Sequence, residues 1–140
     1  MSDNTVEALQ ARIKELEKQV ADAAIWQLLA ERAPDGISIL AMNQELVYAN
    51  PAFAKMIGFG PNPIGLKMNE FLMPESRQGL SDKGEESLQT GFFETVLVYR
   101  RKDGSTFRGH VSSFVLPGET LQESRFATIT RDITEYLQAE

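Results

Sequence analysis

The sequence has no cysteine, one histidine and one tryptophan among its 140 residues. Without cysteine it can form no disulfide, no thiolate nucleophile, no thiolate metal site and no cysteinyl flavin adduct. The single His110 leaves every serine and threonine without an evident catalytic base, so neither catalytic residues nor an enzymatic activity are expected. No Gly-rich phosphate loop leads from a strand into a helix, and no metal site is expected. Basic residues are outnumbered, 14 against 20 acidic, for a net charge of −6. Phosphate recognition needs clustered Lys and Arg, so nucleic acid is not an expected partner. No apolar run approaches the ~20 residues that span a bilayer, and the charged N-terminal stretch lacks the apolar segment of a signal peptide. These absences point to an acidic cytoplasmic protein, one domain with an appendage, and no membrane partner.

The appendage comes first. Residues 4–31 contain neither Gly nor Pro and read as one helix. Val6, Leu9, Ile13, Leu16, Val20 and Ala23 follow a heptad seam, with β-branched residues at a and Leu at d. That combination favours a parallel two-stranded coiled coil, so a homodimer is expected. The competing reading is a single amphipathic helix folded onto its own domain. After Ala23 the apolar face widens to Ile25, Trp26, Leu28 and Leu29, which suits lying on a sheet. We divide the chain into an N-terminal helix (1–25), a globular domain (26–135) and the start of an exit helix (136–140).

Pro34-Asp35-Gly36 turns the chain into two short strands, 37–41 and 46–49. Asn50-Pro51 opens a helix, Asn as N-cap and Pro at the first helical position, and Gly58 stops it in the left-handed conformation. The Gly and Pro content of 59–74 allows only short helical turns. Residues 75–90 form a polar helix with Leu80 and Leu88 as sparse apolar contacts, suited to gating a cavity. Strands at 92–101 and 106–116 flank Asp103-Gly104, a strong hairpin signal. A last strand, Phe126 to Arg131, breaks into Asp132-Ile133-Thr134, where the Asp and Thr oxygens suit a helix start.

Four motifs in this order resemble the PAS sensory-domain family: Ala33-Pro34-Asp35-Gly36-Ile37, Tyr48-Ala49-Asn50-Pro51-Ala52-Phe53, Arg100-Arg101-Lys102-Asp103-Gly104-Ser105 and Arg131-Asp132-Ile133-Thr134-Glu135. The resemblance implies an α+β PAS fold: a five-stranded antiparallel sheet in order 2-1-5-4-3, helices over one face enclosing a cavity, and the long N-terminal helix in addition. With Thr130 facing the cavity, as the resemblance implies, alternation turns Phe126 and Thr128 the same way. On the two neighbouring strands it turns in Gly109, Val111 and Ser113, and Thr95, Leu97 and Tyr99. The cavity candidates are therefore Gly109, Ser113, Phe126, Thr128, Thr130 and Tyr99. Val96, Val98 and Ile129 face outward and need a cover, which Ile25, Trp26 and Leu29 could supply from the same chain or a partner.

The family resemblance leaves the cofactor open. Small and hydroxylated inward residues suit a flat polar ligand such as flavin, and the Val96-Leu97-Val98 and Arg100–Asp103 run resembles flavin-dinucleotide PAS redox sensors. Those sensors carry Trp where this chain has Phe92-Phe93. Alternatively, Phe126, Tyr99, Phe53 and Met56 fill the space. Haem is not expected, since residues 75–90 contain no His and His110 should face outward. The resemblance implies that Asp132 pairs with a basic residue near the long hairpin, for which Arg101 is the candidate, with Thr134 completing the exit. The expected function is a sensor and dimerisation module of two-component type, passing a cavity or interface signal through Asp132-Ile133-Thr134 to a downstream domain or partner. The alternatives are a flavin-dinucleotide redox sensor and a ligand-free homodimerisation module.

Overall fold

The computed structural model describes residues 3–134 and separates a helical unit from the domain at Arg32/Ala33. The expected exit helix at 136–140, with Glu135, lies outside the described residues. Helix α1 runs unbroken from Asp3 to Arg32. It ends where Pro34 forbids a further helical turn. Its seam residues Val6, Leu9, Ile13, Leu16 and Val20 are exposed, as are Ile25, Trp26, Leu28 and Leu29.

The domain carries β1 (Gly36–Ala41), β2 (Leu46–Ala49), α2 (Pro51–Ile57), α3 (Met68–Phe71), α4 (Pro74–Thr90), β3 (Phe92–Arg100), β4 (Thr106–Leu116) and β5 (Arg125–Asp132). The strands make one antiparallel sheet in the order β2-β1-β5-β4-β3, the expected topology. The last strand in sequence is thus the middle one in space.

Local chemistry sets the joints. Asn50 is fully buried, and its Oδ1 accepts from the N–H groups of Phe53 (2.9 Å) and Ile37 (2.8 Å). Its Nδ2 donates to the Asp35 carbonyl at 3.1 Å. One side chain therefore caps α2 and fastens its start to β1, which explains why a neutral amide sits in the core. Gly58 closes α2 at φ 70°, a region that costs glycine little. In the β3–β4 hairpin, Asp103 accepts from the Ser105 hydroxyl (2.6 Å) and N–H (2.9 Å), which hold its carboxyl below the usual range.

The core lies between the sheet and α2–α4. Phe53, Ile57, Met68, Phe71 and Leu72 from the helical side meet Leu46, Leu97, Tyr99, Phe107 and Val111 from the strands. Leu88 corrects the expectation for α4, being 42 % exposed while Leu80 packs on the core. At 3.6 residues per turn, eight residues separate the two by about 80° around the helix, enough to carry Leu88 off the buried face.

Candidate functional site

The buried face of the sheet, together with α2, α3 and α4, lines a partly open cavity of about 130 Å³. Its wall is mostly apolar, with Phe53, Phe71, Leu72, Phe93, Leu97 and Val111 prominent. At one end it includes Met42 and the exposed Gln44 of the β1–β2 turn; α4 contributes Leu80 and Gly84. Among the described residues, no Asp, Glu, Lys, Arg or His lines it.

Strand register explains the floor. Ser38 on β1 lies opposite Thr128 on β5, which lies opposite Ser113 on β4. All three are buried and line the cavity, so a row of hydroxyls crosses three adjacent strands. The Ser113 and Thr128 hydroxyls hydrogen-bond at 3.0 Å.

Of the sequence-derived candidates, Ser113, Phe126, Thr128 and Tyr99 line this cavity, whereas Gly109 and Thr130 do not. Both of the latter are buried on the same face, but the Tyr99 side chain stands between them and the open space. Its hydroxyl meets Thr130 Oγ1 at 3.1 Å. A Cβ built on Gly109 would come within 2.8 Å of Thr130 Cγ2 and 2.9 Å of the Tyr99 ring, so no room is left there. Tyr99 also stacks on Phe107 (5.0 Å between centroids) and meets Phe53 edge-on (6.1 Å). Burial pushes the Tyr99 phenol up to about 12, with the Thr130 hydrogen bond opposing in part. Small residues at 109 and 130 thus make way for a protein ring rather than for a ligand.

Ligand pockets for larger molecules run to ~300 Å³ and above, and a cavity of ~150 Å³ holds a single benzene ring. At about 130 Å³, the space in this structure is nearer the size of one ring than of three.

At the end of β5, Asp132 Oδ2 lies 3.7 Å from the Arg101 guanidinium. Arg101 also stacks over the Phe107 ring at 4.7 Å and donates to the Ser105 hydroxyl at 3.2 Å. Asp132 Oδ1 accepts from the Thr134 N–H at 2.9 Å. Thr134 Oγ1 accepts from the Arg108 N–H at 3.1 Å, and Ile133 N–H donates to the Arg108 carbonyl at 2.9 Å. The segment leaving the sheet is therefore tied to β4 by one backbone bond and one bond accepted by the Thr134 hydroxyl, and to the hairpin by charge. Arg131, the outward neighbour, reaches Asp35 ahead of β1 through a two-pronged contact of 3.3 and 3.4 Å.

The other face of the sheet exposes Phe92, Val96, Phe114 and Ile129, with Val98 half-buried. His110 shares this face, and its Nε2 lies 2.9 Å from a Glu94 oxygen. Sequence reasoning gave His110 no partner. The register pairs Val96 with His110 and Ser112 with Glu94, so the two are diagonal neighbours on one face, which alternation alone could have suggested. Both are exposed.

A sheet in this order, with helices over one face and a small cavity between them, defines an α+β module. A family model described as PAS domain matches residues 34–135, and the chain belongs to that family, a family of sensory domains in signal transduction. The sensor histidine kinase TmoS of Ectopseudomonas mendocina is 27 % identical over 123 residues, spanning 86 % of this chain and 13 % of that protein. The crystal structure of a PAS domain from Colwellia psychrerythraea superposes with a TM-score of 0.70 at 19 % identity, over 86 % of this chain and 98 % of that one. The PAS domain of an HTR-like protein from Haloarcula marismortui gives a TM-score of 0.65 at 25 % identity, over 89 % and 99 %. No described helix is long and apolar enough to cross a membrane.

Proposed function

We propose that this PAS domain converts occupancy of its cavity into a change at Asp132-Ile133-Thr134, and so reports to a downstream signalling domain or partner. One observation carries the reading. Strand β5 supplies Phe126 and Thr128 to the cavity wall and, a few residues on, ends in the Asp132–Thr134 bonds to Arg108 and Arg101. A displacement of β5 by a ligand has a direct mechanical route to the exit.

The partner is a second copy, joined through Val6, Leu9, Ile13, Leu16 and Val20 of α1. Trp26 and Leu29 then cover the outward Val96, Val98 and Ile129. Two apolar surfaces that are exposed in one chain support this arrangement, because each needs burial. The likeness to a sensor histidine kinase supports a two-component output, with catalysis in the output and not in this domain, and the proposal places both in the cytoplasm. The smallness of the cavity supports one other reading, a ligand-free homodimerisation module. Amide exchange at Ile133 and Thr134 in a variant with a filled cavity separates the two. The sensor reading expects the exit to respond, and the interaction module expects it not to.

A further inference from the structure

The hydroxyl row on the cavity floor is more than packing requires. Alanine and valine would fill the positions of Ser38, Thr128 and Ser113 equally well and would spare the desolvation of three polar groups. The Ser113–Thr128 bond at 3.0 Å uses one of that pair's two hydroxyl hydrogens and leaves the other available, along with lone pairs. Ser38, 3 % exposed, adds a hydroxyl with no protein partner among the described residues. The row can therefore donate to and accept from one polar group placed over it.

Everything else about the cavity limits what carries that group. Among the described residues no charged side chain lines it, so an ion would enter without a counter-charge from them and at high cost. Its volume, about 130 Å³, suits one ring. Phe53 and Phe71 meet edge-to-face at 5.9 Å, and Phe71 lies parallel to Tyr99 at 6.5 Å, walls that favour an aromatic guest.

We propose that the cavity takes a neutral single-ring aromatic molecule with one hydrogen-bonding substituent, phenol in size and polarity. The ring lies among Phe53, Phe71 and Phe93, and the substituent on the Ser38–Thr128–Ser113 row. This rests on the reading of the cavity as the input site, and names what it accepts.

The experiment is calorimetric titration of the whole chain with phenol, benzene and benzoate, in the natural protein and in Thr128→Val and Ser38→Ala. Phenol is expected to bind about five- to tenfold more tightly than benzene, the worth of roughly one hydrogen bond. Benzoate is expected not to bind. Thr128→Val keeps the side chain's shape, so benzene affinity should hold while the phenol preference disappears; Ser38→Ala should weaken phenol alone. Equal affinity for phenol and benzene in the natural protein overturns the ligand class and leaves the cavity reading standing, as does a preference that survives both substitutions. Benzoate binding as tightly as phenol overturns the neutral-ligand assignment in the same way. Silence with all three probes overturns the proposal alone; the cavity-input reading stands or falls separately, on amide exchange at Ile133 and Thr134 in the filled-cavity variant.

Discussion

The Tyr99 hydroxyl on β3 reaches the Thr130 hydroxyl on β5 at 3.1 Å by passing over Gly109 on the strand between them. Three strands are locked by one ring because the middle strand offers no side chain. Gly109→Ala should therefore act as overpacking, with a Cβ at 2.8–2.9 Å from both neighbours. A loss of about 1–3 kcal/mol is expected, read as a lower urea midpoint with unchanged slope. An unchanged midpoint would show that the ring is free to move.

The same ring gives a pH signature. The folded Tyr99 phenol titrates at about 12 rather than 10.0, chiefly because burial disfavours the phenolate. Between these values the unfolded chain has released the proton and the folded one has kept it. Stability from this group is complete below pH 10 and falls as pH rises towards 12, by up to about 1.4 kcal/mol per unit. Urea titrations across that range should show a steeper fall in the natural protein than in Tyr99→Phe. Parallel curves would contradict the buried phenol.

Arg101 and Asp132 are each about a third exposed, at 32 % and 36 %, so their pair should be modest. A double-mutant cycle with Arg101→Ala and Asp132→Ala is expected to give a coupling of about 0.5–1 kcal/mol. Strictly additive effects would remove the pair from the account of the exit.

Helix α1 has a testable role of its own. Sedimentation of the chain at micromolar concentration should report a dimer, and Ile13→Glu, which places a charge at a central a position, should report a monomer. A monomeric natural chain would contradict the coiled-coil assignment.

Much of this was readable before any coordinates. Asn50-Pro51 and Gly58 mark the ends of α2 because capping depends on residue type at a fixed place. Strand alternation assigned Leu97, Tyr99, Val111, Ser113 and Thr128 to the buried face because the side-chain period is two. The segment 59–74 was read as short helical turns, which α3 is, but without core residues, and Met68, Phe71 and Leu72 from it are core. Its one four-residue helix, opened by the Lys67 N–H on Glu70 at 2.7 Å, is too short to show a period. Thr130 was assigned to the cavity by the resemblance and Gly109 by alternation, which give the face of the sheet but not the reach of Tyr99. Occupancy of a gap depends on side chains far apart in sequence, and no local pattern carries it.

The central claim is that the cavity and the exit are joined through β5. Ser113→Leu extends a side chain from the floor into the cavity, and Phe114→Ala alters the adjacent outward position. Amide hydrogen exchange at Ile133 and Thr134 should change at least about threefold in Ser113→Leu and stay near the natural rate in Phe114→Ala, since local opening is sensitive to strain on the strand that supports it. Exchange at Ile133 and Thr134 that is indifferent to both substitutions would contradict the account.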